Sequence, residues 1–423
     1  MSSSPMNSSY PVRESSLSFP GWRVLLAAVV GLAFSPGPMI FGSLGLFAPH
    51  LADSFGWGRG AIMLSLTFFN IAGVLASSFT GQLIDRLGVR TVLFPSLIML
   101  ATGFLGLSLT GGSLFAFYGL TFLWGALTVG TQSISYTKLI TGWFIQRRGL
   151  AVGIAAAGLG LGYTVIPLLV AQLLAVMDWR PALCAMAALL IVPFLLNLLL
   201  SHPNMNAVAK QGDGDGLSLS EARRTGSFWL MASAILLASM ALTGVVPHIA
   251  LLALDRGLPT AQAAIVASTY GLSTIFGRVL VGALADHFFV PRVAICFFAM
   301  SAAGFILAAF VGDTHSVGLL ALVALTIGLG FGAESDVIAL FISRYFGQRC
   351  FGAIYGDLLA IFLIGASAGP ALFGFGRDLT GGYQAPMIAG SAAMAMACLL
   401  LSRLAPYPVR FVPTMHRSKK ALA

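Results

Sequence analysis

The chain has 423 residues, 58% of them hydrophobic and only 9% charged, with 23 basic against 14 acidic side chains. A soluble domain carries roughly 25% charged residues, so a water-covered surface and a soluble enzyme are excluded. The apolar excess equally excludes a disordered chain.

A bilayer-spanning helix takes about 20 apolar residues, and at roughly 35 residues per helix and loop this length holds about twelve spans. The apolar runs are continuous rather than alternating, which argues against a barrel. The expectation is an all-α membrane protein with twelve transmembrane helices.

Residues 1–21 form a Ser-rich polar tail with Arg13 and Glu14. It is not read as a cleaved leader, because the apolar run after it is long enough to span. Spans are predicted near 22–47, 61–84, 91–110, 114–141, 149–175 and 181–200, which make a first six-helix half over 22–200. A polar linker, 201–225, holds Lys210, Asp213, Asp215, Glu221, Arg223 and Arg224. Six more spans, near 226–253, 261–285, 292–312, 317–343, 351–376 and 384–404, make a second half over 226–404, followed by a basic tail, 405–423.

Of the 23 Lys and Arg residues, 17 fall in segments on the side of the linker and both tails, and only Arg59, Arg180, Arg256 and Arg377 fall in the opposite loops. The positive-inside rule then puts both termini in the cytoplasm. The net charge of +9 is a topology signal, and no nucleic-acid partner is expected. The four cysteines have neither disulfide nor metal-ligand spacing, and neither a metal nor a cofactor is expected. The runs Gly158-Leu-Gly160-Leu-Gly162 and Gly328-Leu-Gly330-Phe-Gly332 lie inside spans and are read as packing glycines, not phosphate loops.

Two stretches repeat between the halves. Gly81-Gln-Leu-Ile-Asp85-Arg86-Leu-Gly88-Val-Arg90 follows the second span, and Gly282-Ala-Leu-Ala-Asp286 closes the eighth; both carry Gly-x-x-x-Asp. The first resembles the loop between the second and third helices of the major facilitator superfamily. The stretch Phe144-Ile-Gln-Arg147-Arg148-Gly-Leu150-Ala151-Val-Gly153-Ile-Ala155-Ala-Ala157-Gly158 resembles the fifth-helix motif of the monocarboxylate transporter family, with Gln146 in place of its lysine. Its small residues recur every three or four positions, so one helix face is nearly flat and permits close sliding contact. Oxalate/formate-type antiporters share parts of this pattern. The resemblance implies the major facilitator fold, no enzyme activity, and gating contacts at Gly81, Asp85, Arg86, Arg90, Arg147, Arg148 and Asp286.

Arg278 lies in Tyr270-Gly-Leu-Ser-Thr274-Ile-Phe-Gly277-Arg278, inside the eighth span. A charge this deep is costly unless it lines a wet cavity or is paired, and a guanidinium grips a carboxylate with two parallel hydrogen bonds. The monocarboxylate family looks similar here, with a substrate-binding arginine in the same span. Its animal members also carry an aspartate four residues earlier, where this chain has Thr274, and a lysine in the first span, where 34–47 holds no charge. Their proton site therefore does not carry over.

Four other carboxylates are candidates for proton coupling: Asp255, Glu334, Asp336 and Asp357. Glu334 and Asp336 are about 200° apart around a helix, so they cannot both face one cavity. Asn70, Tyr118, Lys138, Tyr270 and Phe331 join Arg278 as candidate substrate contacts, with Lys138 also able to snorkel to the membrane face. His248, after Pro247, is read as a helix-kink residue. Gly158 to Gly162 is followed by Tyr163 rather than by the proline of drug antiporters. The expected function is proton-coupled symport of a small monocarboxylate of the lactate or pyruvate type, by a monomer in the plasma membrane of a bacterium. The alternatives are an oxalate/formate-type organic anion antiporter and, behind it, a proton-driven drug exporter. The partners expected are the organic anion, the proton and the lipid bilayer.

Overall fold

The computed structural model describes residues 16, 19–144, 147–201, 216–311, 316–347 and 350–407. Among them the secondary structure is helical apart from one isolated bridge between Gly216 and Gly347. Among the described residues, eleven helical segments are long and apolar enough to cross a membrane, and Leu114–Leu127 is a shorter apolar helix. Lipid offers no partner for backbone N–H and C=O groups, so each crossing has to close its own hydrogen bonds.

The first crossing is α1 (Gly21–Ala33), a π turn (Gly37–Phe41) and α2 (Gly42–Phe55). Pro36 and Pro38 lack the N–H that a regular helix needs there, and the ladder widens around them. The next helices are α3 (Arg59–Leu87) and α4 (Val89–Ser108), with Gly88 between them at φ +87°, a left-handed value that a residue with a Cβ rarely adopts.

The fourth expected span, 114–141, is interrupted. It consists of α5 (Leu114–Leu127) and α6 (Ser133–Trp143), separated by a 3₁₀ turn and by Gln132 in extended conformation. The fifth crossing is α7 (Arg148–Val176). The sixth breaks at Leu190 into α8 (Trp179–Leu189) and α9 (Ile191–Leu200), where Pro193 cannot donate to the preceding turn.

The described end of the linker carries one helical turn. Ser218 and Glu221 form a capping box that starts the short helix α10 (Leu219–Arg223). The later crossings are α11 (Gly226–Asp255), α12 (Thr260–His287), α13 (Val290–Phe310), α14 (Val317–Tyr345), α15 (Phe351–Thr380) and α16 (Gln384–Ser402). Thr225 and Ser316 accept the free N–H groups that open α11 and α14.

The main contacts between the helices before the linker and those after it are α3 with α15, α7 with α12 and α2 with α11, with a smaller one between α2 and α12. Small residues make this seam close. A Cβ on Gly45 would meet the Pro247 carbonyl, one on Gly374 the backbone of Gly60, and one on Gly271 the backbone of Tyr163 and Thr164.

The seam is not closed along its whole length. Gly153 lies seven residues before Gly160 on α7, and Gly282 lies seven after Ile275 on α12, so each shares the seam-facing side of its helix. Neither meets anything within 4 Å among the described residues, whereas Gly160 packs on Ile275. The buried core shows the same split. One cluster runs through the C-terminal helices into the part of the N-terminal helices remote from the linker, while Val24, Leu97, Tyr136, Ile140 and Ala155 form a separate cluster near it. The molecule is thus sealed at the face remote from the linker, the far face, and its helices diverge toward the linker face.

Candidate functional site

Midway along the seam, α7, α12 and α14 bring five side chains together. Glycine packing sets the distances: Gly328 lies on the Tyr270 carbonyl and Gly332 on the Thr274 carbonyl, so α14 touches α12 backbone to backbone. The side chains between these contacts turn toward α7. Phe331 stands edge-on to Tyr163 at 5.7 Å and tilted against Tyr270 at 5.5 Å. Tyr270 donates its hydroxyl to the Leu242 carbonyl at 3.1 Å, which fixes its ring.

Arg278 lies within electrostatic reach of both Tyr163 and Glu334, and Tyr270 within reach of Tyr163 and Glu334. Glu334 is 2% exposed, and neither of its carboxylate oxygens has a hydrogen-bond partner among the described residues. A carboxylate so placed needs a nearby cation or a proton. An aromatic wall, a guanidinium and a buried carboxylate therefore share one location at the level where the seam begins to open.

Of the residues singled out in the sequence, Arg278, Tyr270, Phe331 and Glu334 come together here. Asn70 lies on the other seam contact, donating from α3 to the Ala366 carbonyl of α15 at 3.3 Å. Tyr118 stays among the N-terminal helices, with its hydroxyl on the Ala61 carbonyl at 2.9 Å and its ring stacked on Phe68. Lys138 reaches the Ile84 carbonyl, near the end of α3 at the linker face.

Asp255 sits at the far face between two arginines, Arg59 of α3 and Arg377 of α15. Asp357 takes two hydrogen bonds from Arg223 of the linker helix, at 2.6 and 2.9 Å. The side chains of Asp85, Arg148, Asp286 and Asp336 lie outside the described part of the structure.

A sequence model of the Major Facilitator Superfamily matches residues 29–370. The chain belongs to the major facilitator superfamily. As a superfamily member it is a multi-pass integral membrane transporter and not an enzyme.

The chain is 28% identical over 362 residues to an uncharacterized 38 kDa protein in the 23S RNA operon of Thermoproteus tenax, with 85% of this chain and 90% of that one covered. It is 28% identical over 400 residues to monocarboxylate transporter 11 of Homo sapiens, with 89% and 81% covered. The fold is shared with the crystal structure of a bacterial homolog of the human lysosomal transporter Spinster, inward-facing and occupied, at a TM-score of 0.73 and 15% identity over 92% of this chain and 97% of that one.

The loop stretch that resembles the superfamily pattern sits at the linker face. Gly81 faces α6, where the nearest atom to a Cβ would be Ile134 Cδ1 at 3.6 Å. Arg86 is exposed, and Arg90 donates to the Leu198 carbonyl at 2.9 Å and lies over the Phe94 ring. Arg147 is exposed at the start of α7. The glycines at 158, 160 and 162 are packing residues in this superfamily member: Gly158 lies on the Val29 carbonyl, Gly160 on Ile275 and Gly162 on the Ala33 carbonyl.

Sequence reading missed three contributors: Tyr163 at the site, and Arg59 and Asp378 at the far face. Tyr163 follows the glycine run directly, which was the available signal. Arg59 and Asp378 look like ordinary loop charges, and only the fold brings their helices together.

Proposed function

We propose that the protein carries a small monocarboxylate together with a proton, by alternating access between two six-helix halves. The observation that carries this reading is the meeting of Arg278 with Glu334, Tyr163, Tyr270 and Phe331 on the seam. The linker face is the cytoplasmic face, as the distribution of Lys and Arg indicates, and the described state is then open to the cytoplasm.

Arg278 holds the carboxylate through its planar fork, and the short apolar tail of the substrate lies on Phe331 and Tyr270. Glu334 carries the proton. Its charge and that of the substrate compete for the same guanidinium, so binding of one changes the cost of the other. The similarity to monocarboxylate transporters over most of the chain supports this substrate class. A dicarboxylate would call for a second cavity cation, and Lys138 lies instead against the end of α3.

The test is uptake of radiolabelled L-lactate into proteoliposomes with and without an inward proton gradient, comparing wild type with Arg278→Ala and Arg278→Lys. Gradient-stimulated uptake that is lost in both variants is expected. A folded wild type that accumulates no lactate, pyruvate or other short monocarboxylate under the gradient sinks the reading.

A further inference from the structure

Tyr163 occupies the point where the two sets of helices begin to part. At its level, Gly271 of α12 lies on its own backbone and that of Thr164. Toward the linker face the same two helices leave Gly153 and Gly282 uncovered. The ring is 7% exposed and stands at 86° to Phe331 of α14. Its opposite side covers the π turn of the first crossing: a Cβ on Gly42 would meet the ring at 3.2 Å, and one on Gly37 the hydroxyl at 2.9 Å. Among the described residues its hydroxyl makes no hydrogen bond, yet it lies within electrostatic reach of Arg278.

A phenol seated this way has a fixed ring and, in its hydroxyl, a donor without a hydrogen-bond partner among the described residues. π turns recur at functional sites because they place a local change of pitch in an otherwise rigid helix.

We propose that Tyr163 is the contact through which the N-terminal helices hold the transported carboxylate: its hydroxyl donates to one carboxylate oxygen while Arg278 holds the same anion from the C-terminal helices. The inference rests on the carboxylate reading of Arg278. It adds a consequence that Arg278 alone does not have. The bound anion bridges the seam where it opens, so occupancy bears directly on whether the two sets separate. The π turn beneath the ring takes up the movement.

A charge-assisted hydrogen bond of this kind is worth about tenfold in affinity. Tyr163→Phe keeps the ring, its edge contact with Phe331 and its seat on Gly42, and removes only the donor. The expected result is a roughly tenfold higher KM for proton-driven L-lactate uptake with kcat nearly unchanged. As a second measurement, Tyr163→Cys in a background without the four native cysteines is labelled with a methanethiosulfonate reagent from the linker face, with and without saturating L-lactate. Lactate is expected to slow labelling several-fold.

If wild type transports lactate and Arg278→Ala does not, but Tyr163→Phe keeps the wild-type KM and lactate leaves the labelling rate unchanged, the Tyr163 contact is refuted and the Arg278 reading stands. If wild type neither transports nor is protected by any short monocarboxylate, the Arg278 reading falls and the Tyr163 contact falls with it.

Discussion

Arg59 holds Asp255 from across the seam with both terminal nitrogens, Nη1 donating to Oδ2 at 2.6 Å and Nη2 donating to Oδ1. The two residues are 196 positions apart in the chain. Arg377 donates to the same carboxylate at 3.3 Å, and Asp378 accepts the Gly60 N–H at 2.7 Å. Behind them His248 donates from Nε2 to the Pro370 carbonyl, since a carbonyl only accepts, and its Nδ1 then accepts the Tyr383 hydroxyl at 2.8 Å. This network ties α3 to α11 and α15 where the seam is closed.

Loss of this pair is expected to favour opening of the far face. Arg59 and Asp255 are largely buried, at 14% and 23% side-chain exposure, and a charge-assisted pair of this kind contributes about 1.5–3 kcal/mol. Arg59→Ala then shifts the balance between far-closed and far-open states by roughly 10- to 100-fold. Nitroxides at Ser54 and Thr380, in a background without native cysteines, report the distance across the far face. A long-distance population should grow in Arg59→Ala and in Asp255→Asn. An unchanged distribution in both would mean that the apolar seam alone holds the closure.

Asp357 has a structural partner, and its role is separable from proton coupling. Arg223→Ala and Asp357→Asn remove the same two hydrogen bonds. If the pair serves only to dock the linker helix, both variants expose 216–225 to protease equally and leave gradient-driven uptake alike. A loss of gradient stimulation confined to Asp357→Asn would assign the carboxylate a part in coupling.

Glu334→Gln tests the buried carboxylate. The amide keeps the shape and removes a group that has no hydrogen bond among the described residues. Gradient stimulation should disappear while lactate exchange down its own gradient persists. Wild-type stimulation in the variant would move the proton elsewhere.

Gly271→Val probes the seam between α7 and α12. Any side chain there meets the Tyr163 and Thr164 backbone, which cannot rotate away. Overpacking of this kind costs about 1–3 kcal/mol. The expectation is a lower melting temperature with transport slowed more strongly than by Gly282→Val, whose position is open in the described state. Equal effects at the two positions would contradict the divergence of the helices toward the linker face.

The sequence alone determined the class of this protein, because twelve apolar runs and 9% charged residues have few solutions in a bilayer. Periodic small residues marked the flat helix faces, and the depth of Arg278 in an apolar run marked it as a costly, special charge. Where helices break was less legible: the interruption of the fourth crossing at 128–132 carries no proline, whereas Pro36, Pro38 and Pro193 announce the others.

Only the tertiary structure separated the carboxylates. Asp255, Glu334 and Asp357 look alike in the chain, since each is an acid in an apolar stretch. Their surroundings differ because their neighbours come from helices far away in sequence: Arg59 and Arg377 for Asp255, Arg223 for Asp357, and an aromatic wall with Arg278 for Glu334. Coulomb energy and desolvation depend on distance in space, and that distance is set by which glycine faces allow which helices to touch.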